Sequence, residues 1–110
     1  MNTLTNPKNA LAFQKTYLKE YGNSIVGDYP IYGIMALQVA LQAISQSDGT
    51  RKSVTNNIFS GDGITVNEDI SILGAPIHIS TLSGDPSLRG TTIDRIENGS
   101  ETTYKSWVIP

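Results

Sequence analysis

The segment 29–44, YPIYGIMALQVALQAI, has no charged side chain, and Gln38 and Gln42 are its only strongly polar residues. Its apolar positions fall all around a helical wheel rather than on one stripe, which is typical of a helix that other structure covers on several sides. Pro30 fits the first turn, where a missing N–H costs little. The segment is shorter than the roughly 20 apolar residues that a bilayer-spanning helix needs. The pattern therefore predicts a buried helix from about residue 29 to residue 45.

An amphipathic helical pattern precedes this segment. Asn6 and Pro7 are typical of a helix start, because an Asn side chain caps free N–H groups and proline suits the first helical position. Gly22 predicts the end of this helix, and Asp28 is a candidate cap for the helix that follows. The apolar stripe, at spacings of three and four, consists of Ala10, Phe13, Tyr17 and Tyr21.

After the apolar helix, the pattern changes from helix to strand. Residues 50–59 predict a short third helix with Val54 and Ile58 as its only good apolar anchors. The Asn98-Gly99 dipeptide favours a tight hairpin turn. The β segments are predicted at 64–66, 70–73, 76–81, 91–97 and 102–109. We therefore expect an α/β fold with two main helices, a short third helix, and short strands that end in a β-hairpin.

Composition limits the class of the molecule. With 110 residues, the sequence 1–110 is expected to form a single domain or part of one. The eight Lys and Arg residues are scattered and the formal net charge is −2, which argues against nucleic acid as a partner. The absence of cysteine excludes disulfides and thiolate nucleophiles. The polar start MNTLTNPKN lacks the features of a secretory signal peptide, so we expect none within this sequence.

Catalytic and cofactor-binding patterns are not found. The only histidine, His78, alternates with Ile77 and Ile79, which favours a surface position on the opposite face of a strand over a catalytic or ligand-binding role. No G-x-S-x-G, G-x-G-x-x-G or P-loop pattern occurs. The acidic segment 62–69 lacks the alternating ligands and closing Glu of a calcium loop. The sequence thus predicts neither an enzyme nor a bound metal or cofactor.

Two tyrosines at the start of the apolar helix are the candidate binding residues. Tyr29 and Tyr32 stand at positions i and i+3, near a helix N-terminus that has free N–H groups and a partial positive charge. Spacing alone favours core or boundary residues whose hydroxyls reach water. A ligand-lining role is the alternative.

The order of these signals resembles a known family. The segments ALAFQKTYLKEYG, YPIYGIMALQVALQAI, GDGITV, APIHI, SGD and TTIDRIENG follow one another as in the C-terminal portion of type I periplasmic binding proteins, the branched-chain amino acid and amide receptors of ABC importers. Aligned on Ala43 and Ile44, Tyr29 and Tyr32 match the first two tyrosines of the family pattern Y-x-x-Y-x-Y-D-A. Ile34 and Met35 replace its Tyr-Asp pair.

The resemblance implies a fragment of a two-lobed receptor fold. It implies a non-enzymatic, extracytoplasmic parent protein that binds an amino acid or small amide and delivers it to an ABC transporter permease. Tyr29 corresponds to an aromatic that lines the ligand pocket, and Tyr32 is a weaker candidate. The groups that hold the ligand's carboxylate and ammonium belong to the upstream part of the family's chain, so residues 1–110 are not expected to bind ligand alone.

The apolar helix then needs a cover that the remaining sequence does not supply. Self-association, rearrangement or another chain can provide it, and we expect a homo-oligomer. The alternative to a receptor segment is a freestanding interaction module that dimerises through this helix and has no small-molecule ligand.

Overall fold

The described residues form three helices and two separate antiparallel strand pairs. The computed structural model describes residues 8–24, 29–87 and 89–109, and it describes side chains for 8–24, 29–87 and 93–105. The elements are α1 (Lys8–Tyr21), α2 (Tyr29–Ser45), α3 (Arg51–Phe59), β1 (Thr65–Val66), β2 (Ile77–His78), β3 (Arg89–Glu97) and β4 (Ser100–Ile109). β1 pairs with β2, and β3 pairs with β4. The mixed α/β class predicted from the sequence is confirmed.

The helix ends follow local chemistry. α1 ends at Tyr21 because Gly22 adopts a left-handed conformation, with φ of 74°, and donates its N–H to the carbonyl of Leu18 at 2.9 Å. α2 has the bounds that the apolar segment predicts. The predicted start of α1 at Asn6 and Pro7 and the predicted cap Asp28 lie outside the described residues.

A hydrogen-bonded cap explains the short third helix, α3. Thr50 is the N-cap, and its Oγ1 accepts from the backbone N–H of Ser53 at 3.1 Å. The carboxylate of Asp48 in turn accepts from the N–H of Thr50 at 2.9 Å and from its hydroxyl at 2.7 Å. These two hydrogen bonds lower the pKa of the Asp48 carboxyl below its ordinary value of 3.8, and the bond from the Thr50 hydroxyl has the larger effect. The cap supports a helix that has few apolar anchors.

The core lies where α1 and α2 meet the β1–β2 pair and the segment between those strands. Partly buried side chains from all three helices pack around it, including Phe13, Met35 and Ile58. Its buried members are Ala10, Ile31, Val66, Ile72, Leu73, Ile77 and Ile79. The buried alternation of Ile77 and Ile79 around His78 confirms the period-two prediction for this segment.

The predicted strand at 70–73 is wrong. These residues form turns, in which the N–H groups of Ile70 and Ser71 donate to the carbonyl of Asn67 at 3.2 and 2.9 Å. Ser71, Ile72 and Leu73 are nonetheless buried. The predicted strand at 76–81 is also shorter than expected, because β2 has two residues and Ile79 only forms an isolated bridge with Pro86.

The β3–β4 hairpin has the predicted turn. Asn98 and Gly99 both have positive φ, 52° and 76°, which is the conformation that favours Asn-Gly in a tight hairpin. A bulge follows, because Ile93 pairs with Lys105 and Asp94 with Thr103, which leaves Tyr104 unpaired. The guanidinium of Arg95 lies 5.3 Å from the centre of the Tyr104 ring. Side chains on both faces of this hairpin are exposed between residues 93 and 105, with Thr102 half-buried.

The tight turn before β1 gives a stability prediction. Gly63 has φ of 70°, and a Cβ there would lie 3.0 Å from the carbonyl oxygen of Ile79 and 3.0 Å from Cγ2 of Thr81. Gly61 has a similar φ of 61° but open space around it. Gly61→Ala should cost about 1 kcal/mol of unfolding free energy through the left-handed conformation alone. Gly63→Ala should cost about 1–3 kcal/mol more through the steric clash, measured by urea unfolding. Equal losses would show that the close approach is not present.

The Asp48 cap gives a pH prediction. A carboxyl whose pKa is lower in the folded state stabilises the fold above its unfolded value, here 3.8, and loses that contribution as the pH falls through the lowered folded value. The stability difference between the wild type and Asp48→Ala should therefore be constant near neutral pH and shrink below pH 3.8. Urea midpoints measured from pH 6 to pH 2 test this, with the exposed Asp62→Ala as control. A difference that grows on acidification would contradict it.

Candidate functional site

The two candidate tyrosines lie at the surface on the first turn of α2. Tyr29 is 88% exposed and Tyr32 is 42% exposed. Neither side chain belongs to the buried core, so both are accessible to a ligand or to another polypeptide. The packed aromatic rings lie instead on α1, where Tyr17 is 6.2 Å from Phe13 and 4.7 Å from Tyr21 between ring centroids. The ligand-binding role of Tyr29 and Tyr32 remains a prediction.

The polar side of α2 faces the chain's own interior. The side-chain amide of Gln38 donates to the carbonyl of Ile70 at 2.6 Å and accepts from the N–H of Ile72 at 2.9 Å. An amide has both a donor and an acceptor, so this side chain binds the backbone of the turn segment as a strand partner would. These two bonds satisfy backbone groups that would otherwise have no partner in a ladder.

Asn9 on α1 makes a matching contact with the same segment. Its Nδ2 donates to the carbonyls of Asp69 at 3.1 Å and Ser71 at 2.7 Å. A third amide, Asn57 on α3, donates to the carbonyl of Ala43 near the end of α2 at 3.1 Å. We call Asn9, Gln38 and Asn57 the amide anchors. Together they fix how the three helices and the turn segment are arranged.

The opposite side of α2 is apolar and open. Leu37, Leu41 and Ile44 are 56%, 55% and 50% exposed. We define the outer face of α2 as the exposed positions Tyr29, Pro30, Gly33, Ala36, Leu37, Leu41 and Ile44 together with the half-buried Ala40. Apart from the Tyr29 hydroxyl, this face has no polar side chain. The inward side of α2 is apolar as well, apart from Gln38, since Ile31 is buried in the core and Ile34 packs against it, so the helix is apolar on both its covered and its open side.

His78 forms a cross-strand pair with Thr65. Its Nδ1 lies 2.8 Å from Oγ1 of Thr65, the residue directly opposite in the β1–β2 pair. The backbone N–H of His78 donates to Oγ of Ser87 at 3.0 Å, and the N–H of Ser87 donates to the carbonyl of His78 at 2.7 Å. Cross-strand pairing of an exposed and a half-buried side chain accounts for this contact.

The described residues contain neither a metal-binding cluster nor a membrane-spanning helix. Within residues 8–24, 29–87 and 89–109, no group of three or more His, Cys, Asp or Glu side chains is placed to hold a metal ion. No helix in that part of the chain is both long and apolar enough to cross a bilayer. The outer face of α2 is therefore the feature of the described structure that most needs a functional explanation.

Sequence reasoning missed the three amide anchors. The signal for Gln38 was its position as one of only two strongly polar residues in a 16-residue apolar run, which suggests a buried polar partner. No comparable signal marks Asn9 or Asn57, since both occur among other polar residues.

No family model, curated protein or solved structure matches the chain.

The amide anchors give a stability prediction. Gln38→Leu keeps the side-chain volume but leaves the carbonyl of Ile70 and the N–H of Ile72 without their partner. The expected loss is about 1–3 kcal/mol of unfolding free energy, measured by urea unfolding. Gln46→Leu, at an exposed position just beyond α2, is the matched control and should change stability by less than about 0.5 kcal/mol. Equal effects of the two variants would exclude an anchoring role for Gln38.

Proposed function

We propose that the chain is the C-terminal solute-binding segment of an extracytoplasmic receptor of an ABC importer, in a two-lobed type I periplasmic-binding-protein fold. The observation that carries the proposal is the outer face of α2, which lies open although it is apolar along the length of the helix. In a receptor lobe, such a helix packs against a sheet and helices from earlier in the chain. The order of the segments resembles this family, so we propose that the sheet and helices of the receptor lobe cover this face.

The β3–β4 hairpin supports an incomplete folding unit. Its apolar side chains Ile93, Ile96 and Tyr104 are exposed. A two-stranded hairpin is only marginally stable alone, so it too is expected to pack against further structure.

In the receptor, Tyr29 and Tyr32 would contact the solute. Their position on the first turn of α2 places Tyr29 at one end of the outer face and Tyr32 beside it, where the other lobe of the receptor would meet this segment. Aromatic rings supply apolar contact and a hydroxyl for a small amino acid or amide. The ligand's charged groups would be held by residues outside 1–110, and the loaded receptor would dock with the ABC transporter permease.

The alternative function is a freestanding interaction module without a small-molecule ligand. The same outer face favours it, because an exposed apolar patch also marks protein–protein contacts. The reading frame around the coding sequence separates the two. A receptor requires a few hundred residues upstream that begin with a secretory signal. A stop codon directly upstream would favour the interaction module.

The receptor proposal gives a binding prediction. Residues 1–110 titrated with leucine, a small amide and urea should give no binding heat in calorimetry, because the groups that hold the ligand's charges are not in this segment. In the full-length receptor, Tyr29→Ala should weaken binding of the cognate solute roughly tenfold or more, the loss of one aromatic contact. Tyr21→Ala on α1, also an exposed tyrosine, is the matched control and should have no effect. Micromolar binding by the isolated segment would overturn the inference that residues 1–110 cannot hold the ligand alone.

A further inference from the structure

The tip of the β3–β4 hairpin places an asparagine side chain next to a glycine nitrogen in open surroundings. Glu97 and Ser100 form the last cross-strand pair, so Asn98 and Gly99 alone make up the loop. Both loop residues are exposed, with φ of 52° and 76°. A Cβ added at Gly99 would meet no atom within 4 Å apart from its chain neighbours. Water therefore has access to the Asn98 amide and to the peptide group that follows it.

These two loop residues react with each other without any further protein group. The backbone nitrogen of Gly99, after losing its proton, attacks Cγ of Asn98, and the side-chain nitrogen leaves as ammonia, which closes a succinimide ring. Water then opens the ring at either carbonyl and gives aspartate or isoaspartate. The net reaction consumes one water molecule and releases one ammonia molecule, with no change of oxidation state. Asparagine is a thermolabile residue, and glycine favours the ring closure because it has no side chain to hinder the approach of its nitrogen.

Other asparagines of the described residues are less suited to this reaction. Asn98 is the only asparagine of the sequence that precedes a glycine. Asn9 and Asn57 lie on helices and donate their side-chain amides to backbone carbonyls, which hold these amides in place. Asn67 is exposed, as Asn98 is, but it is followed by Glu68. The chemistry therefore singles out the hairpin tip.

We propose that Asn98 deamidates spontaneously and that the isoaspartate product opens the tip of the hairpin. In isoaspartate the main chain runs through the former side chain, which adds one atom to the backbone of a two-residue turn. A turn of this type requires positive φ at both loop residues, and the added atom is incompatible with that geometry. The product also carries a carboxylate next to that of Glu97, and the two like charges repel each other.

The contacts next to the turn depend on the register that the turn sets. The hydroxyl of Thr102 donates to the carbonyl of Arg95 at 3.2 Å and lies 3.3 Å from Oε2 of Glu97. Glu97 also forms an ion pair with Arg95. Because β3 and β4 pair only with each other in the described structure, no third strand there holds the register when the turn opens. The modification should therefore loosen the hairpin and leave the pair of β1 and β2 unchanged.

Mass spectrometry of the ageing chain tests the reaction. The full chain is held at neutral pH and physiological temperature for several weeks and then cleaved with trypsin, and a fresh sample corrects for conversion during digestion. Peptide 96–105 should gain the mass difference between an amide and an acid several-fold faster than peptide 53–89, which contains Asn67. Electron-transfer fragmentation should identify isoaspartate at position 98. Conversion no faster than that of peptide 53–89 would overturn the proposal.

A matched variant removes the amide and keeps the turn. Asn98→Gly gives a Gly-Gly loop, which suits the same turn type. Its peptide 96–105 should show no gain in mass under the same conditions. An equal gain in this variant would show that the mass change does not arise at Asn98, and it would contradict the proposed site.

Hydrogen exchange tests the effect on the hairpin. Backbone amides between residues 100 and 105 should exchange faster in the aged wild type than in the equally aged Asn98→Gly, and residues 64–79 should not differ. Isoaspartate without faster exchange at the hairpin, or with an equal change at 64–79, would overturn the opening of the turn. Both measurements concern the chain alone, so their outcome is independent of the proposed receptor function.

Discussion

The structure depends on how the turn segment 69–73, which is buried from Ser71 to Leu73, satisfies its backbone hydrogen bonds. Three consecutive residues, Ser71, Ile72 and Leu73, are buried, yet the segment has no neighbouring strand. A buried N–H or carbonyl without a partner costs about as much as a lost hydrogen bond or more. The side-chain amides of Asn9 on α1 and Gln38 on α2 form hydrogen bonds with the backbone of this segment. Removing Gln38 would take from the part-buried N–H of Ile72 the partner that it has here.

The same requirement explains the orientation of α2. Gln38 must face inward to reach Ile70 and Ile72, so the leucines on the opposite side of the helix face outward. Burying them inside this chain would expose Gln38 and unpair the turn segment. The bonds of Gln38 and the packing of Ile31 in the core both fix this orientation, and they leave the outer face open. The proposed receptor would place further structure on that face.

Features set by short-range chemistry were predictable from the sequence. The end of α1 at Gly22, the extent of α2, and the Asn98-Gly99 hairpin all follow from conformational preferences of a few adjacent residues. The turns at 70–73 were not, because alternating apolar residues fit either a strand or a buried turn. The outcome there depends on amides that come from α1 and α2, more than 30 residues away. For the same reason, the helical-wheel pattern of α2 predicted that other structure covers the helix, but it did not predict which side of the helix would be exposed.

The amide anchors also have a mechanical consequence. The carbonyls of Ser71 and Ile70, one residue apart, are held by different helices, the first by Asn9 and the second by Gln38. A single short piece of backbone therefore connects α1 and α2 through side-chain amides. Displacing this piece would lengthen the bond to Asn9 and the bond to Gln38 together.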